Sequence, residues 1–86
     1  MYLHIGQDFL IKTDDIIGIF DLDSSTISVR TRDFLRRQQL AGRVVTVGQE
    51  LPKSFILCKG KNGVTVYLSQ ISPATLLKRS ETRLFE

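Results

Sequence analysis

Five arginines occupy the fourteen positions of RTRDFLRRQQLAGR, residues 30–43, with Asp33 the one acid among them. A guanidinium is planar, permanently charged and able to meet phosphate oxygens through two parallel hydrogen bonds. The chemistry such a run offers is the binding of a polyanion. At about 100° per residue, Ile27, Phe34, Gln38 and Ala41 share one side of a helix, with Leu35 at its flank. Arg32, Arg36 and Gln39 stand opposite, and Arg43 follows just beyond the helix. Asp33 and Arg37 are spaced i,i+4 with the acid first, the favourable order for an ion pair, so Arg37 is partly accounted for. Val29 and Leu40 are apolar yet lie near Arg36, which implies that this outer side also meets another surface, such as a neighbouring subunit. Two readings stay open: Arg32, Arg36 and Arg43 track a nucleic-acid backbone, or they form an ordinary solvated face. Base reading has little support. Only Gln39 stands beside Arg32 and Arg36, and neither helix-turn-helix spacing nor an RNA-recognition aromatic pair is visible. Any DNA would be held by backbone and shape.

Other constellations carry less chemistry. Asp8, Asp14, Asp15, Asp21 and Asp23 lack the spacing of a calcium loop and suit turns and caps. With one cysteine and one histidine in the chain, zinc-type ligand pairs are excluded. His4 has no triad partner at a useful spacing, and Cys58 in FILCK suits a core. GKNG (60–63) lacks phosphate-loop spacing. Lys78, Arg79 and Arg83 suit the negative end of a C-terminal helix dipole. No residue set makes an active site, and no cofactor is expected.

Charge is unevenly distributed along the chain. The formal net charge is +3, but residues 1–29 hold one base against five acids, whereas residues 30–86 hold eleven bases against four acids. A one-sided basic region suits nucleic acid. The 86 residues, 42% hydrophobic and 24% charged, point to a single small domain over 1–86. No apolar run approaches the roughly 20 residues of a membrane span, and MYLHIGQDFL lacks a secretory n-region. The lone cysteine fits a reducing cytoplasm, so a cytoplasmic protein without a membrane partner is expected.

The elements that must carry these residues follow from local pattern. YLHI (2–5), FLIK (9–12) and IIGIFDL (16–22) are expected strands. Asp23-Ser24-Ser25 is turn and cap chemistry, residues 27–41 are helical, and Gly42 is placed to end that helix. VVTV (44–47), FILCK (55–59) and VTVYLS (64–69) are strands. Pro52 is expected outside any central ladder position, and Asn62-Gly63 marks a hairpin. Ser72-Pro73 opens a second helix as N-cap and first helical residue, running to about Arg83. The expected fold is α+β, a small mostly antiparallel sheet with two helices. IIGIF, VV and FILC are continuous apolar runs that want cover on both faces. Two short helices cover about one, so a homo-oligomer is expected. The alternative is helices on both sides, or a sheet curled on itself.

LHIG at the start, the IIGI strand eleven residues after Ile5, the hairpin ending YLS and the closing SPATLLKRS together resemble the bacterial extracellular matrix regulatory (Rem) family, of the RemB type and related to RemA. The resemblance spans essentially the whole chain. It implies a small DNA-binding regulator of biofilm matrix genes that assembles into rings, with double-stranded DNA held against basic residues repeated around the ring. RemA-type members place a DNA-contacting arginine where this chain has Asp15, and an arginine pair where it has Glu50 and Leu51; Lys53 keeps a positive charge nearby. The resemblance therefore shifts DNA contact onto Arg32, Arg36, Arg43 and Lys53. The alternative it leaves is a ring that serves as a protein–protein scaffold, or as partner of a RemA-type paralogue.

Overall fold

The computed structural model describes residues 1–25, 28–61 and 63–82. Ile27 and Arg83 lie outside them, as does Asn62 of the hairpin turn. Strands β1 (Tyr2–Gly6) and β2 (Phe9–Lys12) form an antiparallel hairpin that is a sheet of its own. A 3-10 turn, Thr13–Asp15, leads into β3 (Ile16–Asp21). Two helices follow, α1 (Leu22–Ser25) and α2 (Val29–Leu40). Then come β4 (Val44–Thr46), β5 (Ser54–Gly60), β6 (Gly63–Ser69) and α3 (Pro73–Thr82). The four-stranded sheet has the order β3-β5-β6-β4.

This corrects the expected single sheet with two helices. Among the described residues there are two sheets and three α-helices, and β4 pairs with β6 in parallel, Val44 opposite Val66 and Thr46 opposite Leu68. Hydrophobic alternation has the same period in parallel and antiparallel strands, so strand direction is not visible locally. The helix α1 was hidden for a different reason. Asp21, expected inside a strand, caps it: its Oδ1 accepts from Ser24 N–H at 3.1 Å. The expected caps elsewhere are present. Ser72 Oγ accepts from Thr75 N–H at 3.3 Å, with Pro73 as first helical residue. Gly42, at φ +72°, ends α2 in the left-handed region. The expected 27–41 helix is Val29–Leu40.

Register decides which side chains share a face. Ile56 pairs with Ile19 and Tyr67, and Leu57 with Gly18 and Val66. One face therefore carries Ile19, Ile56, Cys58 and Tyr67, and packs with Leu3, Ile5, Ile11, Val47 and Leu76 from the hairpin, the end of β4 and α3. The other carries Phe20, Phe55, Leu57 and Val66. Arg30, Thr31 and Phe34 of α2 line an open cleft together with Phe20, Phe55 and Leu57 of this face. Helices thus lie on both faces, which was the alternative to one-sided cover. Two buried serines join the layers. Ser69 Oγ donates to Ile5 O at 2.7 Å and accepts from Ile71 N–H at 3.0 Å. Ser54 Oγ donates to Ile71 O at 2.8 Å. Both hydroxyls are satisfied, as buried polar groups must be.

Candidate nucleic-acid interface

Helix α2 presents its arginines as its period requires. Thr31, Phe34, Leu35 and Gln38 are half-buried toward the sheet, and Arg30, Arg32, Arg36 and Arg37 are exposed. No residue of α2 is fully buried. Asp33 and Arg37, expected to pair, line one shallow depression on its outer side together with Arg36 and Leu40. Val29 and Leu40 are 61% and 79% exposed, so the apolar residues expected among the arginines do stand uncovered in the single chain.

Arg43 follows the Gly42 turn and is fixed by its backbone. Its N–H donates to Gln38 O, and its C=O accepts from Val66 N–H, both at 2.9 Å. Its guanidinium lies over Gly63. A Cβ there would come within 2.6 Å of Arg43 Nη1, and Gly63 itself has φ +135°. Its conformation favours glycine at this position, and the missing side chain leaves room for the arginine to lie there. The β5–β6 turn also carries Lys59 and Lys61, so three cations gather at this end of the sheet. Their juxtaposition depends on the parallel β4–β6 pairing, which is why the sequence shows them only as scattered bases.

Lys53 is elsewhere. Its N–H donates to Ser69 O at 2.8 Å and its C=O accepts from Leu22 N–H at 2.9 Å. That places it where β6 ends and α1 begins, while Arg43 sits where β6 starts. Six residue steps separate Gly63 from Ser69, roughly 20 Å of strand. The four candidate residues are therefore not one cluster. Arg32 and Arg36 line the outer side of α2, and Arg43 and Lys53 mark opposite ends of the sheet beneath it.

The acids are divided in the same way. Asp15 immediately precedes β3, whose Ile16 is opposite Cys58, so it lies at the Arg43 end. Burial pushes the Cys58 thiol up to about 11, and the Asp15 charge adds to the shift. Tyr67 is raised by burial and by the same two neighbours. Cys58 is buried in the core, as its setting in FILCK suggests. Glu50 lies at the Lys53 end. Its N–H, with that of Gln49, is bonded by the Gln70 side chain, a residue to which the sequence gives no signal. His4 bonds Gln7 O through Nε2, a structural use. Arg79 does more than meet a helix dipole: its Nη1 donates to His4 O at 3.1 Å and ties α3 to β1. Among the described residues no group of three or more His, Cys, Asp or Glu is arranged to hold a metal ion. Among them, too, no helix is long and apolar enough to cross a membrane.

Two comparisons bear on this surface. A family model described as RemA-like, extracellular matrix regulatory protein A-like, matches residues 2–79. The chain is also 36% identical over 81 residues to extracellular matrix regulatory protein B of Bacillus subtilis strain 168, which covers 94% of this chain and 91% of that protein.

Proposed function

From its membership of the RemA-like family of extracellular matrix regulatory proteins, we propose that this chain is a non-enzymatic regulator of matrix genes that binds double-stranded DNA through the outer side of α2. The observation that carries this reading is the exposure of Arg32 and Arg36 on a helix whose opposite side faces the sheet. Their backbone is held while their guanidinium groups stay free to reach phosphate. Arg43 extends the surface at one end and Lys53 at the other.

A few phosphate contacts per subunit are weak. Repetition around a homo-oligomeric ring raises the effective concentration of each further contact. Val29 and Leu40 supply apolar surface for such an assembly. Affinity then falls steeply with salt, with a log–log slope of roughly −0.9 per phosphate neutralised. Fluorescence anisotropy on a duplex at several salt concentrations tests this. The double variant Arg32→Ala/Arg36→Ala is expected to weaken binding at low salt by about tenfold or more and to flatten the slope. Binding unchanged by both substitutions rejects the reading.

A second reading rests on Asp15 and Glu50, one acid at each end of the sheet. Here the oligomer is a protein scaffold or the partner of a RemA-type paralogue, with little DNA affinity of its own. Co-purification with a paralogue, together with no duplex binding at low salt, favours this reading over the first.

A further inference from the structure

Leu51, in the loop 48–52, is 88% exposed, more than any other large apolar side chain among the described residues. The backbone beneath it is fixed. Val47 N–H donates to Leu68 O at 2.9 Å, and Lys53 N–H to Ser69 O at 2.8 Å. Between these anchors the Gln70 carboxamide, turned so that its oxygen faces the loop, accepts from Gln49 N–H at 2.9 Å and Glu50 N–H at 2.7 Å. Leu51 is thus an apolar knob on a preorganised loop, with the acid Glu50 next to it in the chain. An anchor carried this way loses little freedom when it is buried in a contact.

A hole of matching character lies on the α2 side of the sheet. Phe20, Phe34, Phe55 and Leu57 line an open cleft of about 300 Å³, and Arg30 and Thr31 complete its lining. The Phe20 ring stacks on Phe55 at 4.9 Å yet stays 40% exposed. Gly18 leaves room for that ring, since a Cβ there would sit 2.7 Å from it. An apolar cavity of about 150 Å³ already accepts a benzene-sized group, so a leucyl side chain fits this cleft. Charge matches as well: an acid stands beside the knob and a base beside the hole. The two features belong to different sides of the chain. The loop borders a depression shared with Gln7 and Phe9 of the β1–β2 hairpin, whereas the cleft lies on the face that carries α2. Unlike surfaces on one chain join head to tail, and such a contact closes into a ring when its rotation allows.

We propose that copies of this chain assemble head to tail, Leu51 of one copy entering the cleft between α2 and the sheet of the next, with Glu50 against Arg30 at its rim. This inference rests on the oligomeric part of the reading above and names the surfaces that meet. Leu51 supplies most of the affinity, because it passes from nearly full exposure into an apolar site. The Glu50–Arg30 pair stays at the rim in water, contributes little affinity and fixes the register. The contact lies beneath α2 and leaves the outer side, with Arg32 and Arg36, open to phosphate.

The test follows the assembled mass of the purified full chain by light scattering, and its dissociation on dilution by sedimentation. Leu51→Ala is expected to weaken each contact by about tenfold or more. Glu50→Arg and Arg30→Glu are each expected to weaken it by about threefold at low salt, and the double variant Glu50→Arg/Arg30→Glu to return close to wild type. Leu51→Asp keeps the cleft, and Phe20→Glu keeps the knob. Each alone is expected to be monomeric where the wild type is assembled, and their equimolar mixture to form a one-to-one pair. Leu51→Asp and the charge reversals lie outside the core, so they decide the matter even where Phe20→Glu does not fold. An assembled wild type whose mass and dissociation are unaltered in Leu51→Ala and Leu51→Asp assigns the cleft to another occupant, overturns the inference and leaves the oligomeric reading standing. Charge reversals that fail to restore each other overturn the Glu50–Arg30 register. A wild type that is monomeric at micromolar concentration overturns both the contact and the oligomeric reading.

Discussion

On one face of the four-stranded sheet, α3 and the β1–β2 hairpin bury Leu3, Ile5, Ile56 and Leu76 to 1% exposure or less. On the other, α2 buries none of its own residues, and Phe20 remains 40% exposed although its ring stacks on Phe55 at 4.9 Å. The two helices are of similar length, twelve residues in α2 and ten in α3, so length does not explain the contrast. Composition does. Helix α3 carries Leu76 on its inner side and is held by Arg79 to β1. Helix α2 carries four arginines in twelve residues, and its sheet-facing stripe is Thr31, Phe34, Leu35 and Gln38, two of them polar. Even there the fit is incomplete: Gln38 Oε1 is buried without a hydrogen-bond partner. The α3 face is closed within the single chain, whereas on the α2 face Phe55 and Val66 are buried but the helix above them stays open to solvent.

The sharpest way to break this contrast is to truncate one residue from each face. Leu76→Ala is expected to cost about 3–4 kcal/mol, because a fully buried leucine leaves a cavity as well as losing transfer energy. Phe34→Ala on half-buried α2 is expected to cost about 1–2 kcal/mol, since an area already partly in water has less to lose. Urea unfolding reads both, and equal costs would mean that the two faces are closed alike.

Alkaline pH probes the α3 face with no large change of volume. Folding raises the Cys58 thiol from its ordinary 9.0 to about 11. Between those values the unfolded chain has released a proton that the folded chain keeps, so stability is full below pH 9 and falls as pH rises through the window. The expected loss by pH 11 is about 2–3 kcal/mol. Tyr67, also raised, acts in the same direction. Thermal unfolding across this range is expected to show the loss in the wild type and a shallower one in Cys58→Ala. A profile unaltered by that substitution would mean that the thiol is not the group titrating.

The smallest expected stability effect falls on the outer side of α2. Replacing Val29 and Leu40 together by serine is expected to change the stability of the single chain by less than about 0.5 kcal/mol, as for exposed positions generally. It is expected to reduce the assembled mass in light scattering. If assembly is unaffected, these two residues are not its contact, and the uncovered rim of Phe20 becomes the next place to look.

Residue by residue, what could be read without the structure was local. Gly42 ending α2, Ser72-Pro73 opening α3, His4 and Cys58 in structural roles, and the arginines on the outside of a helix all depend on neighbours within a turn or two. Even locally, α1 was missed, because Asp21 reads equally well as a strand residue and as a cap. The candidate site was half legible. Arg32 and Arg36 lie on one helix and keep the spacing that its period gives them. Arg43 and Lys53 are ten residues apart in sequence, but they lie at opposite ends of β6.

The sequence by itself determined that Cys58 suits the core, that Gly42 ends α2 and Ser72-Pro73 opens α3, and that the arginine side of α2 faces outward, since each follows from local pattern, a fixed period of 3.6 or capping chemistry. Only the tertiary structure decided that β4 runs parallel to β6, that Arg43 gathers with Lys59 and Lys61, and that Gln70 holds the Glu50 loop. These are pairings between segments distant in sequence. Their direction and register are set by how the whole chain closes its core, and no local preference distinguishes among the alternatives.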